Sequence, residues 1–356
     1  MFLYYNLSTM KLFVLGIAAM LSFMNLECTK KESGGSNNPI EPPVTAPSDV
    51  EFWLTQPDKT VLFRKQSTSL VFTTSDGAIG NVITVDTTQT FQTIDGFGYT
   101  LTGGSASLIN ALPAATKDEL LNELFRWDDT NIGVSYLRVS IGASDLSAST
   151  FTYNDLPAGQ IDPTLQHFSI DQEKQDLIPV LKKILAINPA IKILGSPWSP
   201  PTWMKTNNSF VGGSLKPEYY SAYAQYFVKY IQAMKAEGIT IDAITPQNEP
   251  LHPGNNPSML MLATEQAEFI KNHLGPAFQA ASLPTKIIVY DHNADRPDYP
   301  LPFLPILTQE NMLTVPPFIF MEDPSMHFRR YITPILTSIF ILQNNGRVVP
   351  VISVKT

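Results

Sequence analysis

The chain has 356 residues, of which 44% are hydrophobic and 16% charged, enough to bury the core of one large domain or two smaller ones. Its formal net charge is -8 and no block of basic residues occurs, which argues against nucleic acid as a partner. Cys28 is the single cysteine, so an internal disulfide is excluded.

Residues 1–28 predict an export signal. The apolar stretch from Leu12 to Met24 is too short to cross a bilayer but has the length of a signal-peptide core. Residues 29–49 are polar and rich in Gly, Ser and Pro, as in a flexible linker. The whole resembles a bacterial lipoprotein signal with Cys28 as the lipidated residue. We expect an outer-membrane or cell-surface lipoprotein that touches the membrane only through this anchor; periplasmic location, secretion and an uncleaved membrane anchor are the alternatives.

Residues 50–94 contain the short β-type runs VEFWL, TVLFR, SLVFTT and NVITVD, separated by turn residues. They predict a small N-terminal β-region. The glycine-rich stretch DGFGYTLTGGSA (95–106) follows, and it lacks the spacing of a phosphate-binding loop. We expect its glycines to permit a tight turn at the end of the first strand of the next domain.

Between residues 95 and 301, strands alternate with helices. Predicted strands cover residues 134–142, 191–196, 241–245 and 286–291, and predicted helices cover 172–187 and 218–237, the latter capped by Gly238. Repeated β–α units imply an α/β fold with a parallel sheet, and this spacing favours a (β/α)8 TIM barrel, whose active site lies at the C-terminal strand ends.

Two polar residues, Asn248 and Glu249, follow the strand 241–245. A buried glutamic acid can protonate the leaving oxygen of a glycoside, and an asparagine can bind the sugar 2-hydroxyl in the transition state. The structural alternative is that Glu249 caps the next loop and Asn248 bonds the backbone.

Other candidate sugar contacts lie near strand ends. Trp198 and Trp203 can form a stacking wall, or can simply be buried. Asp145 can bind sugar hydroxyls, or form a turn. Arg138, inside its strand, points into the barrel or pairs with a carboxylate.

The stretch YDHNADRPDY contains Asp291, His292 and Asp295, which could be metal ligands. No matched set of His and Asp residues occurs elsewhere, so we predict no metal site and no cofactor.

Together these stretches resemble glycoside hydrolase family 30, the glucosylceramidase-like retaining β-glycosidases. The matches run over residues 50–300 in family order: QTIDGFGYTLTGGSA, YLRVSIGASDLSASTFTYND, ILGSPWSPPTWMKTN, ITPQNEPLHP and IIVYDHNADRPDY. The resemblance implies a (β/α)8 barrel packed on a side β-sandwich built from both chain ends. It implies a β-glucosyl lipid or a β-1,6-glucan as substrate.

The resemblance also assigns roles to residues. It implies that Glu249 is the general acid/base and Asn248 its 2-hydroxyl partner, with Asp145 and Trp198 as sugar contacts. Three further residues complete the candidate substrate contacts: Trp203, Asp291 and His292.

A retaining mechanism needs a second carboxylate, about 5–5.5 Å from the first, as nucleophile. The resemblance places it on a late strand, in a segment similar to YFTEQW. Residues 302–356 contain no such segment, and they keep neither a strand nor a helix period for long. We therefore expect an incomplete barrel of about five β/α units, without nucleophile and without activity.

A shifted reading frame accounts for this tail. In one shifted frame, residues 312–324 can read YVDGSAFHFYGGS and residues 339–346 can read HLYFTEQW. We predict that residues 302–356 are out of frame and that the nucleophile is encoded across the codons of Gln343 and Asn344; a genuine divergent tail is the alternative.

Two hypotheses of function follow. The first is a retaining β-glycosidase by lineage. The second is a non-catalytic, surface glycan-binding lipoprotein that uses Trp198 and the cleft at Asn248.

Overall fold

The computed structural model of the chain describes residues 49–72, 86, 88, 93–128, 131–293, 296, 298–303, 313–314 and 338–342. The predicted export signal, Cys28 and nearly all of the predicted linker lie outside these residues, as does Asp295. Within them, no helix combines the length and the hydropathy needed to cross a membrane.

The described part of the N-terminal β-region is a short hairpin. Strand β1 (Trp53–Leu54) pairs antiparallel with β2 (Arg64–Lys65). An antiparallel bridge between Val50 and Leu70 extends it. The runs VEFWL and TVLFR therefore pair, and the start of SLVFTT joins them through Leu70, while NVITVD lies outside the described residues except for Asp86.

A parallel sheet forms the centre of the fold. Its described strands are β3 (Thr93–Leu101), β4 (Tyr136–Ser140), β5 (Lys192–Ser196), β6 (Ala243–Ile244), β7 (Lys286–Ile288), β8 (Leu313–Thr314) and β9 (Ser338–Leu342). Their order is β8-β7-β6-β5-β4-β3-β9, and every neighbouring pair is parallel. Sequential order with the last strand beside the first is the order of a (β/α)8 barrel, so the predicted fold class is confirmed.

Helices lie between the strands. They are α1 (Gly103–Ala111), α2 (Ala114–Phe125), α3 (Leu177–Ile187), α4 (Tyr220–Ala236), α5 (Ala263–Phe269) and α6 (Gly275–Ala280). A π-helical turn, Ile270–Leu274, joins α5 to α6. Two helices match the two predicted ones, and Gly238 ends the second with φ +82° and an N–H bond to Lys235 O, as expected of a C-cap glycine.

Side chains alternate along the strands, so that one set points into the barrel and the other set packs against the helices. Inward-facing Tyr136, Leu194, Ala243 and Ile288 form one cluster, contributed by four neighbouring strands. The intervening residues of these strands face the helices and join the main core. Because side chains alternate along a strand, the residues two positions beyond this inner cluster also point inward, at the C-terminal end of the barrel.

The tail contributes two short strands. Residues 302–356 were expected to keep neither a strand nor a helix period for long, and β8 and β9 in this range extend the sheet at its two edges. The physical reason is the composition of β9, Ser-Ile-Phe-Ile-Leu, a short apolar run typical of a buried parallel strand. The sheet thus has two strands beyond the predicted five. The shift of reading frame concerns the gene and stays a prediction.

The glycines of DGFGYTLTGGSA lie in β3 and at the start of α1, on either side of the tight turn that Thr102 forms at the strand end. Gly98 lies inside β3, where a Cβ atom would overlap the backbone carbonyl of Tyr136. Gly104 lies in the first turn of α1, where a Cβ would overlap the carbonyl of Leu146. These glycines therefore allow backbones to approach closely, rather than allowing an unusual φ.

A buried carboxyl group lies in the 3-10 turn Asp171–Lys174, just before α3. Glu173 is 5% exposed, and its Oε1 accepts a hydrogen bond of 2.8 Å from Tyr153 Oη. Desolvation raises the pKa of Glu173 to about 7, against the hydrogen bond from Tyr153, which lowers it. Between its ordinary pKa and this raised value, the folded chain keeps a proton that the unfolded chain releases, so the free energy of unfolding falls as pH rises.

We predict that Glu173→Gln stabilises the fold above pH 7 by about 1–3 kcal/mol, or several degrees in Tm, because the amide keeps the bond to Tyr153 without a charge. The gain should vanish near pH 4.5, the ordinary pKa of a glutamate. Calorimetric Tm values measured across this range test it, with Glu119→Gln on the exposed face of α2 as control. A gain that does not depend on pH would contradict the prediction.

Candidate active site

A layer of polar side chains lies directly above the inner apolar cluster. Arg138, Ser196 and Thr245 stand two residues beyond Tyr136, Leu194 and Ala243 on the same faces, and each is at most 2% exposed. All three converge on the carboxylate of Asp291, which follows β7. Asp291 Oδ2 accepts from Arg138 Nη2, Ser196 Oγ and Thr245 Oγ1, each at 2.8 Å.

The other oxygen of this carboxylate holds the tip of β6. Asp291 Oδ1 accepts the backbone N–H of Glu249 at 2.8 Å. Asn248 is fixed at the same point, because its Oδ1 accepts from Arg138 Nη2 at 2.7 Å and its N–H donates to Pro197 O at 2.7 Å. Glu249 has φ +42°, a left-handed conformation that side-chain-bearing residues rarely adopt.

Trp198 covers this network from the end of β5. The Arg138 guanidinium carbon lies 4.7 Å from the centre of the indole ring, in cation–π contact. Gln247 Nε2 donates to Trp198 O at 2.8 Å and so ties the β5 end to the β6 end. In the part of the chain that the structure describes, Trp198 Nε1 and Arg138 Nε are buried donors without a hydrogen-bond partner.

Two more of the predicted residues lie at the rim. Asp145 is exposed and accepts a hydrogen bond of 3.2 Å from Asn255 Nδ2, in the loop after β6. His292 is half-buried, and its ring centre lies 6.3 Å from that of His252. Both residues therefore contact the loop that begins at Glu249.

Trp203 is the predicted residue that the structure leaves outside this group. It is 5% exposed and belongs to the main hydrophobic core. Its Nε1 donates to Asn154 O at 3.1 Å, and its ring packs edge-on against Tyr219. This is the burial that the sequence left open as the alternative to a stacking wall.

The profile of the glycosyl hydrolase family 30 TIM-barrel domain matches residues 94–302 of the chain. The chain belongs to this family. The matched range starts within β3 and includes the strands β4 to β7.

Several relatives share the family. An endo-1,6-β-D-glucanase of Neurospora crassa is 43% identical over 226 residues, covering 61% of this chain and 46% of that protein. The lysosomal acid glucosylceramidase of Mus musculus is 35% identical over 225 residues, covering 60% of this chain and 42% of that protein. A solved endo-β1,6-glucanase structure superimposes with a TM-score of 0.68 at 36% identity, covering 78% of this chain and 61% of that one. The chain thus spans less than half the length of these two sequence relatives.

The carboxylate of Asp291 contacts the end of β6 through the N–H of Glu249, and both of its oxygens accept hydrogen bonds from protein donors. Its four protein donors are Arg138, Ser196, Thr245 and the N–H of Glu249. No group of three or more His, Cys, Asp and Glu side chains suited to a metal occurs among the described residues.

The sequence predicted one of the three residues whose side chains bond to Asp291, and it did not predict the other two. The pairing of Arg138 with a carboxylate, one of the two expected alternatives, is confirmed. Ser196 and Thr245 were not singled out as site residues. The signal that could have found them is their spacing, since each small polar residue stands two positions beyond an inward-facing apolar residue at a strand end.

Removing one partner of the buried pair should be costly. We predict that Arg138→Met destabilises the fold by about 3–5 kcal/mol, because Asp291 is left as an uncompensated buried charge. Adding Asp291→Asn to the same chain should recover much of this loss. Urea unfolding of the two single variants and the double variant measures the coupling.

The control is Arg296→Met, which breaks the exposed pair with Asp298 and should leave the unfolding midpoint unchanged. Equal losses for Arg138→Met and Arg296→Met, or no recovery in the double variant, would contradict the account.

Proposed function

We propose that this chain carries the acid/base half of a retaining β-glycosidase, with Glu249 as general acid and then general base. The observation that carries the proposal is the fixation of the Asn248–Glu249 tip by Asp291 and Arg138 at the C-terminal end of a barrel strand. Relatives at 30–43% identity named as glucanases and glucosylceramidases support the reaction class.

The geometry divides the work between two neighbouring side chains. Arg138 donates to Asn248 Oδ1, so the amide orientation is fixed and Nδ2 is left to donate to a sugar 2-hydroxyl. Glu249 protonates the departing glycosidic oxygen, and it later takes a proton from the water that releases the sugar. The buried donors Trp198 Nε1 and Arg138 Nε, unpartnered within the described ranges, can serve further sugar oxygens.

We further propose β-1,6-glucan as the substrate. The relatives named endo-1,6-β-glucanase share 41–43% identity with this chain, whereas those named glucosylceramidase share 30–35%. A glucosylceramide-like β-glucoside is the alternative.

The nucleophile is proposed to come from the shifted frame, across the codons of Gln343 and Asn344. Resequencing the gene around residues 301–303 and expressing both frames tests this. We predict that the 356-residue chain releases no reducing sugar from β-1,6-glucan, that the frame-corrected chain does, and that Glu249→Gln in the corrected chain abolishes the release.

Hydrolysis by the 356-residue chain that Glu249→Gln removes would contradict the frameshift but support the acid/base assignment. An inactive corrected chain that is folded would contradict the proposed function itself.

One observation favours a second function, that of a non-catalytic glycan-binding lipoprotein. Asp291 is fully engaged, so within the described residues the network offers Glu249 no free carboxylate partner.

Export and lipidation of Cys28 belong to the same proposal, and loss of membrane partitioning in Cys28→Ala tests them.

Retention of the chain on immobilised β-1,6-glucan shows whether it binds this glycan. We predict that Trp198→Ala abolishes retention because it removes the ring above Arg138. Trp127→Ala, an 82% exposed tryptophan in the loop that precedes β4, at the opposite end of the barrel, should leave retention unchanged. Equal retention of both variants would exclude a binding site at Trp198.

A further inference from the structure

Lys205 is a buried cation with no ion pair to a carboxylate in the described part of the chain. Its side chain is 0% exposed, and it follows the short 3-10 helix Thr202–Met204. Its ammonium group donates to Ser199 Oγ at 3.0 Å, Phe210 O at 3.1 Å and Ser258 O at 2.6 Å. These three acceptors match the three donors of a lysine. Burial lowers the pKa of Lys205 to about 7, which shows that keeping the charge here is costly.

The three bonds join two loops at neighbouring strand ends. Ser199 and Phe210 belong to the segment after β5, and Ser258 belongs to the loop 250–261 after β6. A backbone bond of 2.9 Å from Ser258 N to Phe210 O runs beside the lysine. Lys205 therefore clamps the loop 250–261 against the segment that carries Trp198.

The clamped loop begins directly at Glu249. The left-handed backbone of Glu249 is fixed on its N-terminal side by the bond from its N–H to Asp291. On its C-terminal side it depends on the loop: His252 N donates to Glu249 O at 2.8 Å, and Met261 N closes the loop on Pro250 O at 2.9 Å. A loop free to move would release this second side.

We propose that Lys205 is a positioning residue that fixes Glu249 by clamping the loop 250–261 to the segment after β5. It acts through Ser258 and the loop backbone. The inference rests on the proposed function only in taking Glu249 as the acid/base.

The full chain with Lys205→Met tests the clamp first by hydrogen exchange. Methionine fills much of the lysine volume but removes the ammonium donor from all three acceptors, of which Phe210 O keeps its bond from Ser258 N. The amides of Ser258 and Met261 should exchange roughly tenfold faster or more, because hydrogen bonds to a charged group are lost.

The second readout is the carboxyl resonance of Glu249 in chain labelled with 13C-carboxyl glutamate, assigned by its absence in Glu249→Gln. In Lys205→Met this resonance should shift or broaden. The resonance of buried Glu173 should stay in place, because Glu173 lies in the 3-10 turn before α3 and is bonded to Tyr153. A merely structural lysine would not move Glu249 selectively.

Lys216→Met is the matched control. Lys216 also donates its ammonium to loop oxygens, Trp203 O at 3.2 Å and Asn208 Oδ1 at 3.4 Å, but both lie in the segment after β5. It therefore breaks a lysine–loop contact without freeing the loop 250–261, and the Glu249 resonance should stay unchanged.

A folded Lys205→Met chain with an unchanged Glu249 resonance and unchanged exchange would overturn the proposal, as would an equal effect of Lys216→Met. If Lys205→Met does not fold, Ser199→Ala removes one acceptor only and should displace the Glu249 resonance in the same direction by less. An unmoved resonance in Ser199→Ala would then overturn it. Neither measurement uses turnover, so a lack of glycosidase activity tests the proposed function separately.

Discussion

The buried ion pair between Arg138 and Asp291 is the contact on which the site depends. It joins β4 to the end of β7 across the inside of the sheet, at 2.8 Å between atoms of side chains that are both 2% exposed. Two buried charges gain little net stability over a well-packed apolar pair, so the pair is better explained by what it orients. One carboxylate oxygen takes three side-chain donors, and the other is left for the backbone of Glu249. Arg138 also donates to Asn248 Oδ1 and so fixes the orientation of that side-chain amide.

Strand alternation is what makes this arrangement possible. A single inward-facing apolar layer, built from Tyr136, Leu194, Ala243 and Ile288, closes the barrel below the polar network. The apolar layer therefore lies on one side of the network, and Trp198 covers the network from the end of β5. The same logic extends to the loops, since a second buried cation, Lys205, holds the chain that leaves Glu249. Both cations act on one strand tip, from its two sides.

Much of this architecture can be predicted from the sequence because it is periodic. The strand that carries Arg138, the strand that precedes Asn248, and the helices α3 and α4 follow from apolar runs and from a capping glycine. The Asn248–Glu249 tip follows from its position after a strand. The partner of Arg138 could not be predicted, since Asp291 lies 153 residues further along the chain and only the order of the strands in the sheet brings them together.

Other features were missed or left open for equally physical reasons. The tight turn at the end of β3 is present, but close backbone contacts explain Gly98 and Gly104, and such contacts depend on tertiary packing that no local pattern encodes. Trp203 looks like Trp198 in sequence, and only the structure shows that Trp203 belongs to the main core and is bonded to Asn154. Strand β9 was missed because a short apolar run without a flanking pattern is ambiguous on its own.

The central claim is that this fixed tip presents Glu249 as the acid/base of a retaining reaction. Its most direct test is the product that Glu249→Ala forms with azide in the frame-corrected chain, using a glucoside with a good leaving group. Azide needs no general base, so it should restore turnover and give a glucosyl azide of β-configuration, because it attacks the covalent intermediate from the face that water normally uses. An α-configured product would assign Glu249 as the nucleophile instead. No rescue in a folded chain would contradict the acid/base role altogether.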